Sequence, residues 1–102
     1  MKLIPQDLFQ TLSNIYDTEN TKDQICHIKL FTPDSNWTFY ILEFPQEDND
    51  TLFAYTIGHE SKLGYQSLQE LESVRGSLNL PIERDIHFTP TLLSEVRKLL
   101  DG

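Results

Sequence analysis

Apolar residues recur at three- and four-residue steps from Leu3 to Tyr16, through Ile4, Leu8, Leu12 and Ile15. This spacing predicts an amphipathic helix, with Pro5 in a first turn that tolerates a missing amide. The polar run Asp17 to Lys22 breaks the pattern, and from Ile25 to Phe31 the period changes to two. Cys26, Ile28 and Leu30 then share one side of an extended chain, and His27 and Lys29 the other. Thr32-Pro33-Asp34-Ser35-Asn36 has turn chemistry: Pro33 presets its φ, and the short polar side chains bond their own backbone. Trp37 to Phe44 reads as a second strand, Gln46 to Asp50 as an acidic loop, and Thr51 to Ile57 as a third strand ending at Gly58. The middle of the chain is thus expected to be a three-stranded antiparallel meander.

Further on, Ser67-Leu-Gln-Glu70 has the spacing of a capping box, which predicts a short helix to about Arg75. Gly76 suits a left-handed closing residue. Glu83 to Phe88 reads as a fourth strand, and Thr89-Pro90 opens a last helix through Leu92, Leu93, Val96, Leu99 and Leu100. The expected fold class is α+β: a small antiparallel sheet, the meander plus a fourth strand, packed with helices in the order αβββαβα. A chain of 102 residues with 38% hydrophobic positions is enough for one core, so residues 1–102 are read as a single domain.

Charge changes the picture of partners. Sixteen acidic against eight basic residues give a net charge of −8, which repels phosphate backbones and argues against direct nucleic-acid binding. No Lys or Arg lies between Leu30 and Ser61, where Asp34, Glu43, Glu47, Asp48, Asp50 and Glu60 all fall. That stretch is expected to be either a solvated acidic surface or a face for a basic partner. The single Cys26 allows no internal disulfide, and neither a secretory leader nor a long apolar run stands out. A cytoplasmic protein away from membranes is expected.

Three constellations invite chemistry. On a strand, Glu83, Asp85 and His87 would project from one face, where two carboxylates and an imidazole suit a divalent metal or an acid/base pair. A third or fourth ligand could come only from His27, His59 or Glu43, if the fold brings one near, and mixed charges on a strand face more often form surface ion pairs, here with Arg75 and Arg84. Cys26 beside His27 suggests a nucleophile and base, but neighbours on a strand face opposite sides. His59-Glu60 follows a strand end, a common place for active residues and a commoner one for plain surface. Trp37, Phe39 and Tyr40 lack the basic neighbours of a base-stacking site, which leaves packing or, for Trp37, an anchor in a protein interface. No catalytic residue, metal site or cofactor is assigned.

The segments "FTPDSNWTFY", "GYQSLQELESVRG" and "LPIERDIHFTPTLLSE" resemble the signature of a family of small bacterial proteins known as domain of unknown function 2958. Asp34, Asn36 and Trp37 carry the likeness in the first, Glu70, Glu72, Arg75 and Gly76 in the second, and Glu83, Arg84, Asp85 and His87 in the third. The resemblance implies carriage on plasmids and other mobile elements, near genes for DNA processing or defence evasion, and it brings no catalytic residue set. The expected function is therefore a non-enzymatic accessory protein of a mobile element that binds another protein through its acidic surface. A DNA-mimicking inhibitor of a basic nucleic-acid enzyme is one form of this. The binding residues expected are Asp34, Asn36, Trp37, Glu47, Asp48, Asp50, Glu83, Asp85 and His87. The alternative is a small metal-dependent or hydrolytic enzyme using Glu83, Asp85 and His87, with the "PDSN" turn as one rim of its pocket.

Overall fold

The computed structural model describes residues 3–4, 23–44 and 50–101. The predicted first helix beyond Ile4 and the acidic loop from Gln46 to Asn49 lie outside the described residues. The described elements are β1 (Ile25–Cys26), β2 (Ile28–Phe31), β3 (Thr38–Glu43), β4 (Thr51–Ile57), β5 (Ser61–Ser67), α1 (Leu68–Ser73), β6 (Glu83–Arg84), β7 (Thr91–Leu92) and α2 (Leu93–Asp101).

This order corrects the expected fold. The described residues are mostly sheet rather than a small sheet packed with helices in the order αβββαβα. Five antiparallel strands run β5-β4-β3-β2-β6, beside a separate two-stranded sheet of β1 and β7. The meander β2-β3-β4 forms as expected, with Ile28 opposite Ile41 and Tyr40 opposite Tyr55. The register slips by one between Ile41 and Glu43, a bulge that accommodates Leu42 as the extra residue. The main omission is β5. "SKLGYQS" is largely exposed and has no apolar run, so its backbone pairing along the whole of β4, from Thr51–Ser67 to Ile57–Ser61, is what makes it a strand.

Both faces of the large sheet are covered. Ile28, Leu30, Phe39, Ile41, Leu52 and Ala54 pack against Leu68 and Leu71 of α1 and against Leu3, Ile4 and Ile82. On the other face Tyr40, Leu42 and Tyr55 meet Cys26, Leu93 and Val96. At about 1.5–3 kcal/mol for each large apolar side chain removed from water, these two clusters are the chief source of stability.

Helix ends differ from expectation in instructive ways. The Ser67 hydroxyl accepts from the Glu70 amide at 3.3 Å, as the capping box predicts. The remaining first-turn amides go to Asp50, whose carbonyl accepts from Leu68 at 2.8 Å and whose carboxylate accepts from Gln69 at 2.8 Å. Gly76 is not left-handed; among the described non-glycine residues Asn79 is, at φ 63°. Position 76 needs glycine because a Cβ there would collide with the Asp34 carboxylate. The last helix begins at Leu93 rather than at Thr89-Pro90, because Thr91–Leu92 pairs with Ile25–Cys26 first. No helix among the described residues is long and apolar enough to cross a membrane.

Candidate functional site

The turn between β2 and β3 is closed by a single residue. Thr32 is buried; its amide donates to the Trp37 carbonyl at 3.0 Å, and its hydroxyl oxygen accepts from the Trp37 amide at 3.1 Å. These bonds set the hairpin corner and present Trp37 at its exit. The indole is 37% exposed, is stacked on Phe39 with centroids 6.4 Å apart, and meets the His59 ring edge-on at 5.7 Å. It is therefore an exposed aromatic held by its neighbours, the condition for a low-entropy binding anchor.

Facing this corner is the segment after β6. Arg84 lies opposite Leu30 in the sheet register. The Asp85 amide still donates to the Lys29 carbonyl at 2.9 Å; the chain then turns, and the Asp85 carboxylate accepts from the His87 amide at 2.9 Å, while its carbonyl accepts from Phe88 at 3.2 Å. Asp85 also meets Lys29 at 3.8 Å, with both side chains about one-third exposed. A pair this long and wet is worth about 0–1 kcal/mol, so the turn, rather than the ion pair, positions Asp85.

Between the two segments lies an open depression of about 590 Å³, walled by Lys29, Phe31, Asn36 and Trp37 on one side and by Arg84, Ile86 and His87 on the other. Two more depressions adjoin it. One, of about 380 Å³, shares Thr32, Ser35 and Trp37 with it and runs between Phe39 and the α1 residues Glu70 and Leu71 to Val74 and Arg75. The other, of about 440 Å³, shares Arg84, Asp85 and Ile86 and reaches Ile25, His27 and Pro90. Through these shared walls they line up as a row, the groove, from α1 past the hairpin corner to the two-stranded sheet.

A family model described as "Protein of unknown function (DUF2958)" matches residues 3–98. The chain belongs to that family. The match bears out the likeness carried by the three quoted segments, and those segments supply the hairpin corner, the α1 wall and the Arg84–His87 wall of the groove. No curated protein and no solved structure matches the chain.

In this member of the family the residues singled out from sequence separate into two groups. Asn36, Trp37, Asp85 and His87 come together around the central depression. Asp34 faces away from it: its carboxylate accepts from the Leu78 amide at 2.7 Å and ties the hairpin to the loop after α1. Asp50 is engaged by the Ser67 hydroxyl at 2.7 Å as well as by Gln69. Glu83 is exposed on β6 and does not wall the depression, while Glu47 and Asp48 lie outside the described residues. The expectation that Glu83, Asp85 and His87 alternate along one strand face is corrected, because β6 ends at Arg84 and Asp85 begins a turn. Among the described residues no group of three His, Cys, Asp or Glu side chains is placed to hold a metal.

The stretch read as acidic surface is also more varied than its composition. Glu43 is only 2% exposed, within the sheet, whereas Glu60 is exposed at the β4–β5 turn. Cys26 is fully buried, and burial pushes its thiol up to about 12, which leaves it packed and unreactive. The residues that sequence reasoning passed over as site residues are Lys29 and Arg84. The first stands on the polar side of the β2 alternation, and only the pairing of β2 with β6, with Arg84 opposite Leu30, brings the second to the rim of the same depression.

Proposed function

We propose that this chain is a non-enzymatic protein-binding module that takes an extended segment of another protein into the groove. The observation that carries this reading is the row of three adjoining depressions, which share walls at Trp37 and at Arg84–Ile86. A small-molecule site is usually one concave cavity that encloses its ligand. A row of open depressions instead offers successive pockets to alternate side chains of an extended chain. Trp37 supplies the aromatic anchor, and Ile86, 73% exposed, supplies apolar surface on the facing wall.

Charge favours an acidic partner over the basic one expected from composition. The groove walls carry Lys29, Arg75 and Arg84 against Glu70 and Asp85, one more cation than anion in a chain of net charge −8. Two acids of the proposed acidic face, Asp34 and Asp50, already serve as internal acceptors. The acidic remainder would act by keeping nucleic acid away from the groove. A role as a cytoplasmic accessory protein of a mobile element is part of this proposal and rests on the family likeness.

Selection of random peptides displayed on phage against the full chain tests it. Trp37 is the single tryptophan, so its emission reports directly on the groove. Enriched peptides are expected to change that emission and to lose binding to Trp37→Ala and Ile86→Asp. Peptides that bind both variants as well as the parent, or no enrichment at all, would sink the reading.

A further inference from the structure

We infer that β5 is the contact strand of a homodimer, in which two copies of this chain pair antiparallel about Gly64 and join their sheets into one. The inference does not rest on the groove. β5 stands at one end of the strand order, with β4 as its single strand neighbour among the described residues. The opposite end, β6, is only two residues long, whereas β5 runs for seven and pairs with β4 throughout. A long edge of this kind is a template for a further strand, which sheets commonly blunt with prolines, bulges or charges. Ser61–Ser67 has no proline and no register shift, and Lys62 is its one charge.

The phase of the ladder shows which backbone groups face outward. Beyond its two ends the Leu68 amide donates to the Asp50 carbonyl at 2.8 Å, and the Gly58 amide to the Glu60 carbonyl at 3.1 Å. Alternation from these bonds makes Leu52–Gln66, Ala54–Gly64 and Thr56–Lys62 the hydrogen-bonded pairs of the register. Ser61, Leu63, Tyr65 and Ser67 therefore turn their N–H and C=O groups away from β4. A two-fold axis at Gly64 sets Leu63 opposite the partner's Tyr65 and Ser61 opposite the partner's Ser67, so these outward groups meet one another along the whole strand.

Gly64 itself points to that axis. Its φ is not positive, and a Cβ built there meets nothing within 4 Å among the described residues, so the fold of one copy gives no reason for a glycine. Glycine inside a strand weakens it and often marks the close approach of another backbone. At the axis the two glycines form a non-hydrogen-bonded pair, whose Cα atoms lie about 4.5 Å apart. Side chains and charge select a second copy as the occupant. Leu63 and Tyr65, 38% and 52% exposed, extend the face of Tyr55 and Phe53, and pairing would cover each with the other. Lys62 falls opposite the partner's Gln66, so no like charges face each other. In a chain of net charge −8, Ser61–Ser67 holds no acidic residue, and two copies meet there with little repulsion.

Sedimentation equilibrium of the full chain from about 1 μM to about 1 mM, the range suited to a small interface, tests the inference. The mass is expected to rise with concentration from 11.9 kDa to twice that value. Leu63→Pro removes an outward amide that β4 does not use, and Leu63→Lys sets two ammonium groups diagonally across the axis. Each should weaken association about tenfold or more. Far-UV circular dichroism like the parent's shows that a variant is folded, and if Leu63→Pro unfolds, Leu63→Lys carries the test. Gly64→Cys reads the register, because paired Cα atoms about 4.5 Å apart suit a disulfide. Mild oxidation should link its copies in a time that leaves Lys62→Cys, opposite the partner's Gln66, unlinked; Cys26 is buried and takes no part. A chain that stays monomeric over the whole range overturns the inference, even where display-selected peptides lose binding to Leu63→Pro and the edge receives a foreign strand. So does a dimer that the folded Leu63 variants leave intact, or one that links through position 62 as fast as through 64. The groove is decided separately, by the Trp37 and Ile86 variants in the display selection.

Discussion

The Trp37 indole fills the space that a side chain at position 58 would need, because a Cβ on Gly58 would collide with the ring. Phe39 and His59 hold the same ring from other directions, so it has little room to yield. Gly58→Ala is expected to cost about 1–3 kcal/mol through overpacking. Because no other tryptophan contributes, the displaced indole should also show red-shifted emission. Unaltered stability together with unaltered emission would mean that Trp37 is not seated there.

Asp50 distinguishes a structural acid from a binding one. Its carboxylate accepts from the Ser67 hydroxyl and the Gln69 amide at the start of α1. Asp50→Ala should lower unfolding free energy by about 1–2 kcal/mol, the usual range for a lost cap. Asp50→Asn, which keeps an acceptor oxygen, should lose less. Binding of display-selected peptides should survive Asp50→Asn, since this residue walls none of the depressions. Urea denaturation and peptide titration of the two variants check both statements, and lost binding by a folded Asp50→Asn would place the acid at the interface.

What could be read from the chain follows from where the information lies. β2 alternates in burial because one of its faces is less covered, whereas β3 and β4 read as nearly continuous apolar and aromatic runs because both faces of the sheet are covered; both patterns are written in the residues themselves. β5 is held by backbone bonds to β4, which leave no mark on side-chain choice. The Ser67 cap is local and legible. The Asp50 acceptors lie seventeen residues from Ser67, and the Asp23 acceptors of Ser94 lie seventy-one away, beyond any local signal. The site was half legible for the same reason: the turn residues announce Asn36 and Trp37, but Arg84 reaches the depression only through the pairing of the edge strand β6 with β2. Gly76 marked a special position correctly, with a close approach by Asp34 in place of a left-handed turn as its cause.

Cys26 should be silent towards thiol reagents while the chain is folded. Its side chain is fully buried, and burial raises its pKa to about 12, so near pH 8 almost none is thiolate. Ellman's reagent is expected to react only after denaturant is added. Fast stoichiometric reaction of the native protein would show that the cluster of Tyr40, Tyr55, Leu93 and Val96 around it opens readily.

Two groups should give the stability a two-step dependence on pH, with signs fixed by their surroundings. Burial lowers the pKa of His27 from its ordinary 6.5, so the folded chain resists protonation that the unfolded chain accepts. Stability is then lost as pH falls below about 6.5 towards the lower folded value. Asp23 titrates in a separate window. The Ser94 hydroxyl, donating at 2.6 Å, and then the Ser94 amide, at 3.0 Å, hold its carboxyl below the ordinary 3.8. Its stabilising contribution is fully present above that value and is lost as pH falls through the folded pKa. Thermal unfolding from pH 8 to pH 2 should therefore show an upper step that His27→Gln removes and a lower step that Asp23→Asn reduces. Other carboxylates protonate in the lower window too, so the informative quantity there is the difference between variant and parent. If His27→Gln keeps the upper step, another group carries it, since the remaining histidines, His59 and His87, stand at exposed turns.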